Sequence, residues 1–495
     1  MTLSTMEGVA DLVEQALEVY KDDPAAVALL QGYARRLEEP LRIAVAGMVK
    51  AGKSTLLNAI LGEEIAPTDT AECTRIVTWY RYGHAPRITL YPVKGEPRSL
   101  PVKRVDGRLV FVLGDITADD VDRLDVEWPS PGLRDMTLID TPGIASLSTD
   151  VAARSTTFLT PADTPSEADA IIYLMRHMHA SDLRFLESFK DTEAGRSGTV
   201  NALAVLSRAD EVGAGRIDSL LSAGEIAERY RRDHSLRKLA LGVVPVAGLL
   251  AQSARSMRQS DFEALQLLAG MERKDREKLL LSADRFLRSA GPEGLTTAAR
   301  ASLLQRYGVF GIRLAVVLIR NGFAEPTPLA HELARRSGLH PLLDLLGRQF
   351  QARADALKAR TALVGVETLL RTSPREGTGQ LAGALERLQV NAHEFRELRL
   401  LATLRTTGTT LPPELAAEAE GLIGGWGAAS HVRLGLDADA RPDQLVAEAR
   451  RRLDRWHALA ENPFTDRSAV DVCRVVIRSC EAVVAECAQL AGQPA

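Results

Sequence analysis

The run Gly47-Met48-Val49-Lys50-Ala51-Gly52-Lys53-Ser54-Thr55 leaves this chain few folds to choose from. It fits the pattern G-x-x-x-x-G-K-[ST], is entered from the apolar run Ile43-Ala44-Val45-Ala46, and is followed by Leu56, Leu57, Ile60 and Leu61 at helical spacing. A strand that delivers the chain to a glycine-rich turn, with a helix N-terminus behind it, aims several backbone N–H groups at one spot that suits phosphate oxygens. In such a loop the Lys53 ammonium reaches the β- and γ-phosphates, and the Ser54 hydroxyl ligates Mg2+. All nine residues from Gly47 to Thr55 are therefore expected to contact a nucleotide.

The rest of the chain supplies the scaffold. From Leu41 to about Val246, short apolar runs alternate with helical ones. The expected strands cover 41–46, 75–82, 87–92, 109–113, 135–139, 169–175, 200–206 and 242–246, a pattern that predicts an α/β domain on a mostly parallel sheet. Ahead of it, Val9, Leu12, Val13, Leu17 and Tyr20 follow the helical period, and a second helix restarts at Asp22-Asp23-Pro24 and ends before Pro40. Beyond about residue 250 the strand signal disappears. A charged helical stretch at 260–290 includes Met271–Lys278, which reads as a solvated helix face. Helical periodicity resumes from Leu329 toward Thr372, and two last helices are expected at about 442–460 and 467–490. Cys473, Cys480 and Cys487 recur every seven residues, about 10 Å apart along one helix face. That distance rules out a disulfide between neighbours and predicts small buried side chains in a helix-helix seam.

At 495 residues the chain is too long for one core. Lys plus Arg number 61 against 65 Asp plus Glu, so no bulk basicity draws it to nucleic acid, and no nucleic-acid partner is expected. The first residues, Met1 to Glu7, lack the basic start and apolar run of a signal peptide. No stretch approaches the roughly 18 uncharged apolar residues that suggest a spanning helix; the nearest, Leu314 to Ile319, is only a short run between Arg313 and Arg320. The expectation is a cytoplasmic chain that touches a membrane only peripherally.

Later elements choose the nucleotide. Asp140-Thr141-Pro142-Gly143 follows the strand-like Met136-Thr137-Leu138-Ile139 and reads as D-x-x-G, with Asp140 holding Mg2+ through water and the Gly143 N–H facing the γ-phosphate. Ser207-Arg208-Ala209-Asp210 ends another strand, at a place where GTPases carry [NT]-K-x-D. The Asp210 carboxylate is suited to accept two hydrogen bonds from guanine that adenine cannot offer, while Arg208 can stack on a base. Ala247 and Gly248 follow the last strand and offer backbone contacts to the guanine O6. Between the loop and D-x-x-G, the segment Pro67–Arg75 holds Thr68, Thr70 and Thr74, any of which can serve as a switch hydroxyl on Mg2+, and spacing does not choose among them.

With these motifs in place the chain resembles the bacterial dynamin-like GTPases. The resemblance is carried by Gly47-x-x-x-Ala51-Gly52-Lys53-Ser54-Thr55-Leu56-Leu57-Asn58-Ala59-Ile60-Leu61-Gly62, by Thr74-Arg75 and by Asp140–Gly143. Chain length, Ile65–Asp69 with Arg75–Trp79, Ser207–Glu211 and Tyr307–Arg313 bring it nearer to the branch of mycobacterial isoniazid-inducible proteins. The resemblance implies GTP and GDP as ligands, a GTPase head on a helical neck and trunk, peripheral contact with membrane lipid, and nucleotide-dependent assembly as a homodimer or with another dynamin-like protein. It places the neck helices at 1–39, the GTPase domain at 40–350 and a helical neck and trunk bundle at 351–495, with Pro40 at a hinge. It also selects Thr74 as the switch threonine and Mg2+ ligand. Dynamins carry Gln-Ser inside the loop, where this chain has Val49 and Lys50, and Ile144 stands where Ras-like proteins keep a water-orienting glutamine. Hydrolysis would then use the Thr74 backbone carbonyl, a water network or a second subunit, with Lys50 in place of a monovalent cation and Lys53 on the phosphates.

Two further signals carry less. Ile423-Gly424-Gly425-Trp426-Gly427 superficially fits an RNA-binding I-G-x-x-G turn, but its central pair is not basic and flanking strands are missing. The stretch reads better as an interhelical loop than as a membrane tip built on Ile423 and Trp426. His177 and His179 have no third or fourth ligand nearby and are expected on a surface loop.

Overall fold

The computed structural model describes residues 5–67, 75–105, 107–143, 159, 166–189 and 201–491. Eleven strands are present among them: β1 Leu41–Gly47, β2 Val77–Tyr82, β3 Arg87–Pro92, β4 Arg98–Leu100, β5 Lys103–Val105, β6 Arg108–Val110, β7 Val121–Trp128, β8 Met136–Asp140, β9 Ala170–Met175, β10 Ala202–Ser207 and β11 Val243–Val246. Nine of them form one sheet in the order β11-β10-β9-β1-β8-β2-β7-β3-β4, and β5 pairs with β6 in a separate hairpin. The five strands from β11 to β8 are mutually parallel. The sheet reverses at β2, which runs antiparallel to β8 and parallel to β7, while β3 and β4 add two more antiparallel pairings. This is the expected α/β sheet, mostly parallel where it carries the site.

Burial explains which strands were legible. Every residue of β9 and β10 is buried, as a parallel strand covered on both faces requires, so both read as unbroken apolar runs. Strand β7 was missed because Asp122, Arg123, Asp125 and Glu127 interrupt it; Val121, Leu124, Val126 and Trp128 are its residues in the core. Strands β4 and β5 were missed for a similar reason, being short and largely exposed. The run expected at 109–113 forms β6 in the hairpin and not a strand of the main sheet.

Alternate residues of β1 feed two cores. Ala44 and Ala46 face a cluster with Tyr173, Phe185, Leu186, Ala223 and Ala227. Ile43 and Val45 face the opposite cluster with Leu56, Leu57, Ile60, Leu342 and Leu346. The helices Gly248–Arg255, Gln259–Gly270 and Thr297–Arg320 build a third core around Phe262, Leu265, Phe286, Tyr307 and Leu314.

The amino-terminal helices pack on helices Ala354–Thr372 and Thr378–Asn391 of the carboxy-terminal part. Helix Pro24–Glu38 starts with Asp23 as its cap, whose carboxylate accepts from the Ala26 N–H at 3.1 Å, and with Pro24 in the first turn. Val9, Leu12 and Val13 of the preceding helix Thr5–Val19, with Tyr20 just beyond it, share a core with Leu363, Val366, Leu369, Leu381 and Leu385. Gly365 lets helix Pro24–Glu38 approach helix Ala354–Thr372, because a Cβ there would lie 2.1 Å from the Tyr33 ring. Near Pro40 the Lys358 ammonium donates to the Leu37 carbonyl at 2.8 Å, and Arg36 forms a buried pair with Asp169 at 2.7 Å.

Several helical boundaries differ from the sequence reading. The stretch 260–290 is three helices, Gln259–Gly270, Arg273–Leu279 and Ala283–Arg288, with Arg273, Lys274 and Asp275 exposed as expected of a solvated face. The periodicity from Leu329 to Thr372 is cut into Pro326–Arg336, Leu339–Gln349 and Ala354–Thr372, and four helices between Thr378 and Leu434 had no assignment. The last two helices, Pro442–Glu461 and Arg467–Ala491, pack together with Cys473, Cys480 and Cys487 buried and unpaired, in agreement with the seam. Helix Thr297–Arg320 is long and apolar enough by composition to cross a membrane once a few charges are tolerated, but 56% of that window is buried inside the protein. It is a core helix by its contacts.

Candidate nucleotide site

The phosphate loop has the geometry its residues predict. Strand β1 runs into Gly47, whose φ of +148° and tight fit are reserved for glycine: a Cβ would stand 2.4 Å from the Leu174 carbonyl oxygen. The loop then turns through Lys50, which holds a left-handed φ of 63°, and Gly52 at 96° begins helix Lys53–Leu61. Lys50 and Arg208 are the two non-glycine residues with positive φ among those described. Such conformations cost free energy and persist where surrounding contacts enforce them. Here one contact joins the pair: the Arg208 guanidinium donates to the Lys50 carbonyl at 2.9 Å and to Glu211 at 2.7 Å. Glu211 also accepts from Arg176 at 2.5 Å.

Lys53 folds back over the loop, its ammonium 3.2 Å from the Gly47 carbonyl. Burial pushes this ammonium below the ordinary lysine value, with Asp140 working against the shift. The Ser54 hydroxyl donates to Asp140 Oδ2 at 2.9 Å, while the buried Asp140 Oδ1 has no hydrogen-bond partner. Burial raises the Asp140 carboxyl to about 6 despite Lys53 and Ser54. Thr141 fixes the start of the D-x-x-G turn by donating to the Val45 carbonyl at 2.9 Å. Gly143 packs on the loop itself, since a Cβ there would fall 2.5 Å from Val49 Cγ2.

The residues expected to face a base converge beside the phosphate loop. A cavity of about 180 Å³ is lined by Ala51, Gly52 and Thr55 from the loop, by Ser207, Arg208 and Asp210 from the end of β10, and by Gly248. Lys53, Ser54 and Asp140 do not line it; the cavity lies beside them, between the phosphate loop, the end of β10 and the start of helix Gly248–Arg255. Burial raises the Asp210 carboxyl above the ordinary aspartate value, with Glu211 adding to the shift and Arg208 and its own backbone N–H opposing it.

Several expected contacts take a different form. The Ala247 N–H donates to the Ser337 carbonyl at 2.8 Å, so it is not free to reach a base. Gly248 keeps its place at the cavity wall. The Ser207 hydroxyl points into the sheet and donates to the Met175 carbonyl at 3.2 Å. The Arg208 side chain is held against the phosphate loop. Val49 and Lys50 are both exposed, and Met48 is half-buried. Thr68, Thr70, Thr74 and Ile144 lie outside the described residues. Leu174, Val246 and Leu249 also line the cavity and went unremarked in the sequence, where they are ordinary apolar residues of a strand or helix start.

Away from the site, Ile423 is fully buried, and the carbonyls of Ile423 and Gly424 are held by Arg353. That excludes a tip that presents Ile423, and leaves only Trp426, 50% exposed, at the surface. His177 and His179 are exposed, and no metal-binding cluster occurs among the described residues.

A parallel sheet that feeds a phosphate loop, with a D-x-x-G turn on the neighbouring strand and an aspartate beside the cavity, defines a phosphate-loop nucleotide-binding protein. Comparison with known proteins narrows the class. The model described as Dynamin family matches residues 43–206. The isoniazid-induced protein IniC of Mycobacterium tuberculosis is 41% identical over 491 residues, which is 98% of this chain and 99% of IniC. A bacterial dynamin-like protein of Nostoc punctiforme is 28% identical over 212 residues, covering 40% of this chain and 28% of its own. A solved structure described as "An oligomerised bacterial dynamin pair provides a mechanism for the long range sensing and tethering of membranes" covers 98% of this chain and 75% of its own at 14% identity, with a TM-score of 0.30 that carries no weight here. The chain belongs to the bacterial dynamin-like GTPases, a family in which it is similar to IniC along nearly its whole length.

Proposed function

We propose that this chain binds GTP and GDP with Mg2+, hydrolyses GTP, and couples the γ-phosphate to self-association and to remodelling or maintenance of the cytoplasmic membrane, on whose inner face it acts as a peripheral protein. The observation that carries the reading is the cavity in which Ala51, Gly52 and Thr55 meet Ser207, Arg208 and Asp210. The base sits there, with the Asp210 carboxylate accepting from it and the Gly248 backbone beside it. The backbone N–H groups from Met48 to Thr55 then lie along the phosphates. We place the boundaries at 1–39 for the neck helices, 40–350 for the GTPase domain and 351–495 for the neck and trunk bundle.

The donor set suits Mg2+, because a hydroxyl and a carboxylate are hard oxygen ligands and Asp140 Oδ1 is buried without a partner. Ser54 and Asp140 would hold the ion together with Thr74, and the ion would neutralise charge on the phosphate oxygens. The Lys53 ammonium would stabilise the same charge. No side chain of the described loop orients a water, so the Thr74 carbonyl, ordered water or a second subunit takes that task. Lys50 supplies a positive charge where other dynamins use a monovalent cation. Turnover that is insensitive to potassium in the native chain and becomes slower and potassium-responsive in Lys50→Ala supports this role; equal turnover in both proteins, with and without potassium, removes it.

A second reading, a nucleotide-dependent partner of another dynamin-like protein that hydrolyses GTP only weakly, is favoured by one contact: apolar Val49 lies against Gly143 where a water-orienting group is needed. GTP turnover measured against protein concentration, with and without lipid vesicles, separates the two. A specific rate that rises with concentration supports catalysis completed by self-association, and a flat, negligible rate supports the partner reading.

A further inference from the structure

The two helices that frame the nucleotide cavity begin at it and end away from it. Helix Lys53–Leu61 starts at the phosphate loop, and helix Gly248–Arg255 starts at the cavity wall, where a Cβ on Gly248 would touch Thr55 at 3.6 Å. Their far ends are gathered by two arginines. The Arg255 guanidinium donates to the Ala59 and Ile60 carbonyls at 3.0 Å each, taking up acceptors that the end of a helix leaves unpaired. Arg306, from helix Thr297–Arg320, reaches both ends at once. Its guanidinium donates to Glu64 Oε1 at 3.0 Å, just past the first helix, and to the Ser256 carbonyl at 2.6 Å, at the cap of the second. Its Nε donates to Asp261 at 3.0 Å, and its own carbonyl accepts from the Ser253 hydroxyl.

We infer that Arg306 is a positioning residue for the nucleotide site, clamping the far ends of these two helices through Glu64 and Ser256 and so setting the spacing of their cavity-side ends. The inference rests on the reading that the cavity takes a guanine nucleotide. The side chains of Arg306 and Glu64 are 6% and 9% exposed, so water cannot replace the pairing, whereas neighbouring Glu63 is 44% exposed and bound to Arg104. A planar guanidinium with five donors can hold acceptors on separate elements in one fixed geometry, which an ammonium cannot. Glu64 is itself fixed from the other side, because Arg108 donates to its Oε2 at 2.8 Å and the Leu109 N–H to its carbonyl at 3.0 Å. One residue beyond Tyr307 the helix breaks at Gly308, with φ 62° and ψ 174°, so the clamp sits at the end of the first arm of a kinked helix.

Fluorescent GDP titrated into the full chain at low temperature, well below unfolding, tests the clamp. Arg306→Gln and Glu64→Gln each weaken binding about tenfold, and the double variant weakens it no further than the worse single one, because both loosen the same joint. Arg306→Lys falls between Arg306→Gln and the native protein, and Glu63→Gln stays within about twofold of it. Multiplying losses in the double variant, or a loss in Glu63→Gln equal to that in Glu64→Gln, overturns the inference. Hydrogen exchange without nucleotide gives an independent answer. In Arg306→Gln the amides of Lys53–Leu61 and Gly248–Arg255 exchange faster together; faster exchange confined to Thr297–Arg320 overturns the clamp. Failure of the native chain to bind guanine nucleotide would reject the proposed function instead, and the exchange measurement would still decide this one.

Discussion

Burial lifts the Asp140 carboxyl to about 6, against the pull of the Lys53 ammonium and the Ser54 hydroxyl. A raised carboxyl favours the protonated form in the fold, so this contribution to stability is complete below about pH 4 and is lost as pH rises through about 6. In ligand-free protein, Asp140→Asn should therefore stabilise the chain at pH 7.5 by about 1–3 kcal/mol relative to its effect at pH 4.5, read from urea midpoints at the two pH values. Mg2+ bound at Asp140 as proposed would reverse the sign, since it needs the ionised carboxylate. Asp210 offers a second test. An amide there would donate where the carboxylate accepts, so Asp210→Asn should weaken GDP binding by about 100-fold while binding of xanthosine diphosphate, which presents a carbonyl in place of the amino group, improves. Unchanged GDP binding would remove Asp210 from the site. Asp210 and Asp140 were both legible in the sequence because each ends an apolar run. The Arg208 contact with Lys50 was not legible, because it joins residues 158 positions apart.

Helix Thr297–Arg320 illustrates what an element's own sequence leaves open. Its apolar composition passes for a membrane span, yet Leu303, Tyr307, Phe310, Leu314 and Leu318 are buried in a core with Phe262 and Leu265. The break at Gly308 requires a conformation reserved for glycine. Gly308→Ala should cost about 1–3 kcal/mol, seen as a lower urea midpoint, with increased hydrogen exchange around Arg306 and Tyr307. A neutral outcome would mean that the helix can straighten without penalty. Strand β7 makes the complementary point: its charges hide it from a search for apolar runs, and only pairing with β2 and β3 reveals it.

At the scale of the whole molecule, the α/β part and the helices are joined by buried charges. Arg36 in the amino-terminal helices pairs with Asp169 at the start of β9, and Asp169 also accepts from the Arg42 N–H at 2.9 Å. Glu420 binds Arg405 at 2.7 Å and Arg237 at 2.6 Å, linking the carboxy-terminal helices to the helix His234–Arg237. Removing one partner of such a pair strands the other, so Asp169→Ala should destabilise the protein by about 3–5 kcal/mol, with unfolding of both parts at a lower urea concentration. Loss confined to the amino-terminal helices would show that the junction is not cooperative.

The sequence by itself determined the phosphate loop, the order of the parallel strands' apolar runs, the heptad seam of Cys473, Cys480 and Cys487, and the location of Asp140 and Asp210. Each of these is a local pattern, set by backbone geometry or by burial along one element. Only the tertiary structure decided that Ala247 is committed to Ser337, that Ile423 is a core residue, and that Arg306 and Arg255 gather the far ends of the site's two helices. Those outcomes depend on which distant carbonyl or carboxylate a donor meets once the chain is packed, and neither periodicity nor motif spacing contains that information.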